Sequence, residues 1–531
     1  MKKELLKHIV LLFLLLVLQN ATTAFAQVYT IQSGVVYHDK NKNGEFDSFD
    51  EPLEGVAVSN GRDVVTTNSK GEYEIELRDN AATFVIKPRN WSVKIDEKQV
   101  PRFYKMNSST GLSGNKYAGL EPTELQHRSV NFPLYPLMEP NNIKGLIFGD
   151  TQPRNQKEIY YMSQDIIADL VGVDADFGVT LGDVVFNDLN LFEHVANSLS
   201  VIGIPMWYVP GNHDVDYTAK NSIEGRGSWF NSFGPNYYSF SYGPAHFVVL
   251  DNIQWSAENE NSNWNYRTGL GDDQMTFLEN EVKRLDDDQW LVVMSHIPFE
   301  GSTAWEDELE KKAFFELLSQ HKKSIALSGH THIHYHHSAG KEEGFYRNEP
   351  LHMISVGTVC GEWWGGAPTV YGIPHAMMSD GTPNGYAFLY IDEDDLKLEW
   401  RVAGKPSDFQ MTIDAPDVIS SESDDKILIR ANIFNALPNA EVKMKIGEDG
   451  DWIEMNRSPQ KDPVRLAAKE IESKIDKTPW RKIGQYDATS NHIWEADLNS
   501  LLGKQSGVYC IYIKSKDKWF EYEGKRLIHL K

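Results

Sequence analysis

Between residues 143 and 402 short apolar runs alternate with amphipathic patterns of helical period, and this rhythm restricts the middle of the chain to a layered α/β fold. The runs at 143–148, 177–181, 206–209, 291–294 and 325–327 are too short for helices and read as buried strands. Helical patterns at 159–171, 191–202, 273–285 and 307–318 separate several of them, and strands at 386–391 and 396–402 extend the domain. The expected core is a set of central β-sheet layers flanked by helices.

The flanks read differently. From 28 to 137 short alternating strands are broken by Gly, Asn and Asp turns, as in Gly34-Val35-Val36-Tyr37 and Gly71-Glu72-Tyr73-Glu74-Ile75, which predicts a small β-sandwich. Residues 135–142, with two prolines and two asparagines, read as a linker. After 409, strand-like pieces such as 426–429 and 507–512 predict a β-rich C-terminal domain. The 531 residues suit three folded units, at roughly 100 to 200 residues per domain. The expected division is 27–138, 139–408 and 409–531, after a leader at 1–26.

That leader has Lys2 and Lys3, an apolar run at 9–18, and small residues ending Ala24-Phe25-Ala26 before Gln27, the physical pattern of a cleavable export signal. The run is shorter than the roughly 20 residues that cross a bilayer, and nothing comparable recurs. The mature chain is therefore expected in the periplasm or outside the cell, without a membrane span. With 76 acidic against 52 basic residues and a net charge of -24, a nucleic-acid duplex is disfavoured as a partner by long-range repulsion. Only Cys360 and Cys510 are present, so disulfides do not staple this fold; a bridge between the two has no motif behind it.

Almost every strand of the middle domain ends in metal-competent side chains: Gly149-Asp150-Thr151-Gln152, Gly182-Asp183, Gly211-Asn212-His213-Asp214, Ser295-His296 and Gly329-His330-Thr331-His332. In open α/β sheets ligands bind beyond the carboxyl ends of strands, so five separate segments are expected to share one crevice. The glycines allow sharp turns and close backbone approach. Carboxylate, amide oxygen and imidazole together suit divalent Mn, Fe, Zn or Ni, not a thiolate-bound structural zinc.

In this order the motifs resemble those of the calcineurin-like metallophosphoesterases, D-x-H, G-D, G-N-H-D/E, H and G-H-x-H, over residues 144–332. The resemblance implies two divalent ions, one on Asp150, Gln152, Asp183 and His332, the other on Asp183, Asn212, His296 and His330. It also implies a bridging hydroxide that attacks the phosphorus of a phosphate mono- or diester, with His213 facing the phosphate and Asp214 orienting its imidazole. Small β domains before and after the core resemble the architecture of bacterial exported members, which adds no substrate; the expected partner is a small phosphate ester or an envelope polymer.

Two departures stand out. Position 152 is Gln where the family usually has His, though some members carry Gln; an amide oxygen ligates more weakly than imidazole or favours a harder ion. Position 186 is Phe where purple acid phosphatases carry a metal-binding Tyr, so no tyrosinate-to-iron colour is expected. Substrate contacts are sought at Arg154, two residues beyond Gln152, and at Trp363 and Trp364 in a long loop rich in Gly and aromatic residues. Near the N-terminus Asp39, Asn41, Asn43 and Asp50 approximate a D-x-N-x-N-G calcium loop, read equally as a structural calcium site or a solvated turn. The competing function is a surface or glycan-binding protein whose phosphoesterase core is weak or inactive.

Overall fold

A computed structural model describes residues 30–112, 116–123, 129–257, 266–301, 305–420, 427–498 and 505–531; the leader at 1–26 lies outside them. Two mixed sheets face each other at the centre. The first has five strands in the order Met206–Tyr208, Phe177–Thr180, Ile143–Phe148, Gly385–Ile391, Leu396–Val402, the first three mutually parallel. The second has six, in the order Tyr238–Tyr242, Ala245–Val249, Trp290–Met294, Lys323–Ser328, Leu351–Ser355, Tyr335–Ala339. Aromatic rings fill the space between them: Trp207 stacks on Phe240 at 3.9 Å and Phe177 on Tyr242 at 4.5 Å.

Helices cover the outer faces where their patterns predict, with shifts at the ends. The helix expected at 159–171 begins at Gln156, N-capped by Asn155, and widens to a π turn at Ser163–Ile167. Asp307 caps Glu308–Leu318 by accepting from the amides of Leu309 and Glu310. The hairpin Tyr238–Tyr242 and Ala245–Val249 has no counterpart in the sequence reading. Every residue of both strands is buried, so neither carries the polar–apolar alternation that marks a half-exposed strand.

The N-terminal region forms a sheet of five strands around Ile31–His38 and one of four, ordered Tyr104–Asn107, Ala81–Val85, Ala57–Ser59, Val64–Thr66. Its apolar core is continuous with that of the central sheets: Phe103 packs on Trp207 at 5.2 Å and on Tyr238 at 5.0 Å, and Phe84 on Phe277 at 5.9 Å. Lys87 crosses this junction fully buried, donating to Glu139 Oε1 and to the Ser241 carbonyl, each at 2.6 Å. Burial outweighs Glu139 and pulls its ammonium down to about 8.

The C-terminal region keeps an apolar core of its own between sheets built on Leu428–Ile433 and on the long hairpin Gly507–Lys516, Glu521–Leu530. It joins the centre through Phe434, Leu437 and Trp519, which belong to the central apolar core, and through buried polar pairs. His334 Nε2 meets Asn435 Oδ1 at 2.9 Å, and His492 Nε2 meets Asp380 Oδ2 at 3.2 Å. Its helix Pro463–Ser473 starts with Pro at the first position and Asp462 as cap. Among the described residues no helix is long and apolar enough to cross a membrane.

Candidate metal centre

Ile143–Phe148, Phe177–Thr180, Met206–Tyr208, Trp290–Met294 and Lys323–Ser328 all end at one edge of the paired sheets, and the chain turns there into the five motifs. The turns are tight. Gln152, Asp183, His330 and His332 themselves adopt left-handed backbone, at φ 37°, 46°, 71° and 50°. Such conformations cost about 1–3 kcal/mol each for non-glycine residues and cluster where function demands them. The neighbouring glycines serve mainly close approach: a Cβ on Gly182 would sit 2.4 Å from the His296 ring, and one on Gly211 2.0 Å from the Asp183 amide.

One half of the site gathers Asp183, His296, His330 and Asn212. The first three place ligand atoms within 4.8 Å of one another. His296 Nε2 lies 3.3 Å from Asp183 Oδ2, 3.0 Å from Asn212 Oδ1 and 3.2 Å from His330 Nδ1. In the other half His332 Nε2 is 3.2 Å from Asp150 Oδ2, a buried oxygen that meets no donor in hydrogen-bonding geometry. Gln152 Nε2 donates to Asp183 Oδ2 at 2.7 Å. Asp183 Oδ2 is thus common to both halves.

The surroundings aim these groups. His296 Nδ1 faces the Leu181 carbonyl at 2.8 Å and His332 Nδ1 that of Gly361 at 2.6 Å, which leaves both Nε2 atoms turned into the site. Asp150 Oδ1 accepts from the His330 amide and Asp183 Oδ1 from the His213 amide. Against burial, Asp183 and Asp150 lift His296 to about 9, and the histidines hold Asp183 well below the usual carboxylate range. Burial and the neighbouring His296 push His330 to about 3. In the metal-free chain a proton on His296 thus answers the two carboxylates. A shared carboxylate, an orphaned second carboxylate oxygen, amides and three imidazoles fit divalent cations.

Asp214 does not hold His213, contrary to expectation. Its fully buried carboxylate accepts from the backbone amides of Val184, Val185 and Gly211, bracing two motif turns against each other. Burial and then Asp183 push it up to about 7. His213 Nδ1 instead meets Asn187 Oδ1 at 2.6 Å, and its ring stacks on Phe186 at 4.5 Å. Sequence reading missed Asn187. Its only signal was position, four residues beyond Asp183 in a turn that faces the crevice.

The two tryptophans separate. Trp363 is half-buried with its ring 4.6 Å from that of His332, whereas Trp364 is 2 % exposed and packs on Tyr161, so Trp364 is a core residue and not a substrate contact. Arg154 donates to Glu158 and, at 2.6 Å, to the Trp363 carbonyl; it fastens the tryptophan loop and its charge is matched. Cys360, buried, has its sulfur 3.9 Å from both Gln152 Oε1 and His332 Nδ1; it and Cys510 are free thiols.

The N-terminal loop is gathered by its own hydrogen bonds. Asp39 accepts from the Asn43 and Gly44 amides, Asn41 and Asn43 donate to Asp47, and Asp50 accepts from the Lys40 and Asp47 amides.

Comparison with known proteins adds three family matches. A model described as calcineurin-like phosphoesterase matches residues 143–334; the N terminal of calcineurin-like phosphoesterase matches 40–117, and the C terminal matches 354–522. No curated protein matches. Among solved structures, a purple acid phosphatase from yellow lupin seeds is 15% identical at a TM-score of 0.37, over 70% of this chain and 66% of its own, just under two thirds. An endo-beta-1,4-mannanase from Thermotoga petrophila is 9% identical at a TM-score of 0.16, over 71% of each chain. Global similarity at these scores says nothing of substrate.

Proposed function

The chain belongs to the calcineurin-like phosphoesterase family, and on that premise we propose that it hydrolyses phosphate esters outside the cytoplasm, with one divalent cation on Asp150, Gln152, Asp183 and His332 and a second on Asp183, Asn212, His296 and His330. The observation that carries this reading is the convergence of Asp183, His296 and His330 from three strand ends, with ligand atoms within 4.8 Å. When bound, the cations supply an activated water and positive charge against the phosphoryl oxygens.

The side chains do the rest. Gln152 becomes a ligand by a half-turn of its amide, which exchanges Nε2 for the isosteric Oε1 beside Asp183. His213, with Nδ1–H donated to Asn187, presents Nε2 to the crevice 4.0 Å from Asp183 Oδ2. Burial keeps this imidazole below its usual value despite Asp183, so near neutral pH Nε2 is a base; having taken a proton, it can return one to the leaving oxygen. Trp363 walls the crevice beside His332 and offers a ring face to the ester's leaving group.

Hydrolysis of p-nitrophenyl phosphate and of bis-p-nitrophenyl phosphate by chelated protein, with Mn, Zn, Fe or Ni added back singly, tests the reading. Metal-dependent turnover is expected, and the preferred ester separates monoesterase from diesterase. D183A is expected to lose metal and turnover together. Well-folded, metal-loaded protein that cleaves neither ester, with D183A still binding a glycan, would favour the surface-protein alternative. Export is tested by the mature amino terminus, expected at Gln27.

A further inference from the structure

We infer that Arg465, in the C-terminal domain, is a positioning residue for the metal ligand His332, so that a domain contributing no ligand completes the phosphoesterase site. The inference rests on the reading of His332 as a ligand. Arg465 is fully buried on the helix Pro463–Ser473, and its guanidinium reaches both domains. Within its own domain it donates to Asp487 at 2.9 Å and to the carbonyls of Gly484 and Tyr486 at 3.1 and 2.8 Å. Across the junction it donates to the carbonyls of Met377 and Met378 at 3.3 and 3.1 Å, and it pairs with the carboxylate of Glu362.

Glu362 sits between two residues that touch the His332 ring. On one side the Gly361 carbonyl accepts from His332 Nδ1 at 2.6 Å, and the Thr358 hydroxyl donates to the same oxygen at 2.8 Å. On the other, the Trp363 ring lies against the imidazole at 4.6 Å. This segment does not hold its shape by local preference. Gly361, Trp363 and Trp364 are left-handed at φ 57°, 54° and 53°, and two successive tryptophans in that region need outside anchors. The start of the segment is tied to the central domain, where the Val359 and Cys360 amides donate to the Asp150 carbonyl at 3.1 and 3.2 Å and Arg154 donates to the Trp363 carbonyl. From the C-terminal domain come the Arg465–Glu362 pair and the Arg481 carbonyl, which accepts from the Gly366 amide at 2.8 Å. The space is closed as well, since a Cβ on Gly484 would fall 2.0 Å from Glu362 Oε1.

An imidazole ligand binds well when its other nitrogen has a fixed acceptor, which sets the tautomer and raises basicity. Here that acceptor belongs to a strained turn pinned from the next domain. The C-terminal family match, 354–522, takes in both Glu362 and Arg465.

Titration calorimetry of full-length, chelated protein with Mn²⁺ tests this in wild type, R465K, E362Q and K87M, beside their thermal unfolding. For R465K and E362Q one of two Mn²⁺ steps is expected to weaken by about 10- to 100-fold while the other holds, and saturating Mn²⁺ restores turnover. K87M removes an equally buried cation at the opposite junction; it is expected to melt lower with both steps unchanged. Unchanged Mn²⁺ steps in both R465K and E362Q, whatever their melting temperatures, would overturn the inference and leave Arg465 a domain fastener. A wild type that takes up no Mn²⁺ would instead overturn the phosphoesterase reading, and this inference with it.

Discussion

Raising the pH should destabilise the metal-free protein in a window where most proteins change little. Asp183 and Asp150, overcoming burial, lift His296 to about 9 from an ordinary value of 6.5. A histidine raised on folding contributes stability that is complete below 6.5 and is lost as pH climbs through 9. At about 1.4 kcal/mol per unit, the step from pH 6.5 to 8 removes about 2 kcal/mol. His332, raised against burial through Cys360 and Asp150, adds in the same direction. Lys87, lowered by burial to about 8, gains stability only above that pH, so the measurement stops there. His330 at about 3 and Asp214 at about 7 complete most of their change below the window. For one cooperative unit spanning the N-terminal and central sheets, on the order of 380 residues at about 2.1 cal/mol/K each, 2 kcal/mol is about 2–3 °C in Tm. Calorimetric unfolding of chelated wild type and H296N at pH 6.5 and 8 checks it, with the steeper fall expected in wild type and only the share of His332 left in H296N. With Mn²⁺ present the slope should flatten or invert, because the ligands bind deprotonated. A chelated wild type whose Tm does not fall between pH 6.5 and 8, or an H296N variant with the same slope, would refute the reasoning.

Three smaller predictions concern individual side chains. N187A should lower kcat 10- to 100-fold with KM little changed and should shift the pH profile, less than the roughly 10²–10⁴ that the acid–base group itself contributes because the imidazole is loosened and not removed; D214N should chiefly lower Tm. W364A should lose about 3–5 kcal/mol of stability by denaturant titration, whereas W363A should keep its Tm and raise KM for esters with aromatic leaving groups. Added Ca²⁺ should raise the Tm of chelated protein and D39A or D50A should abolish the rise; no shift in wild type would leave the loop of Asp39 and Asp50 a solvated turn.

The five strand-end motifs were legible because each is a short run whose residue types have one shared chemistry, and parallel strands must bring their ends to one edge. Roles that depend on a side chain's direction were not. Asp214 and Asn187 are both polar and both near the crevice, and only the turn after Asp183 decides which one reaches His213 Nδ1. Trp363 and Trp364 are adjacent and chemically identical; successive left-handed residues send one ring to His332 and the other to Tyr161. The Arg465–Glu362 pair spans 103 positions, beyond the reach of any local pattern. The hairpin at 238–249 was hidden because full burial erases alternation.

The two flanking regions should respond differently to removal, because their cores differ. The N-terminal sheets share one apolar core with the central pair: loss of Phe84, Phe103 and Lys87 would leave Phe277, Trp207, Tyr238, the Glu139 carboxylate and the Ser241 carbonyl without their partners. Each large aromatic uncovered costs on the order of 2 kcal/mol in burial alone, and the three together, with a buried carboxylate left unpaired, take up about as much as the 5–15 kcal/mol that holds a domain folded. A chain starting at residue 139 should therefore not fold, as read by loss of a cooperative melt. The C-terminal region has its own core and meets the centre through His334–Asn435, His492–Asp380 and Arg465–Glu362, with Phe434, Leu437 and Trp519 as its smaller apolar share of the central core. A chain ending at residue 408 should keep a cooperative, weakened melt but lose tight binding of one Mn²⁺. If the first truncation folds like the full chain, the shared-core reading fails; if the second keeps both Mn²⁺ at full affinity, the third domain lies outside the site.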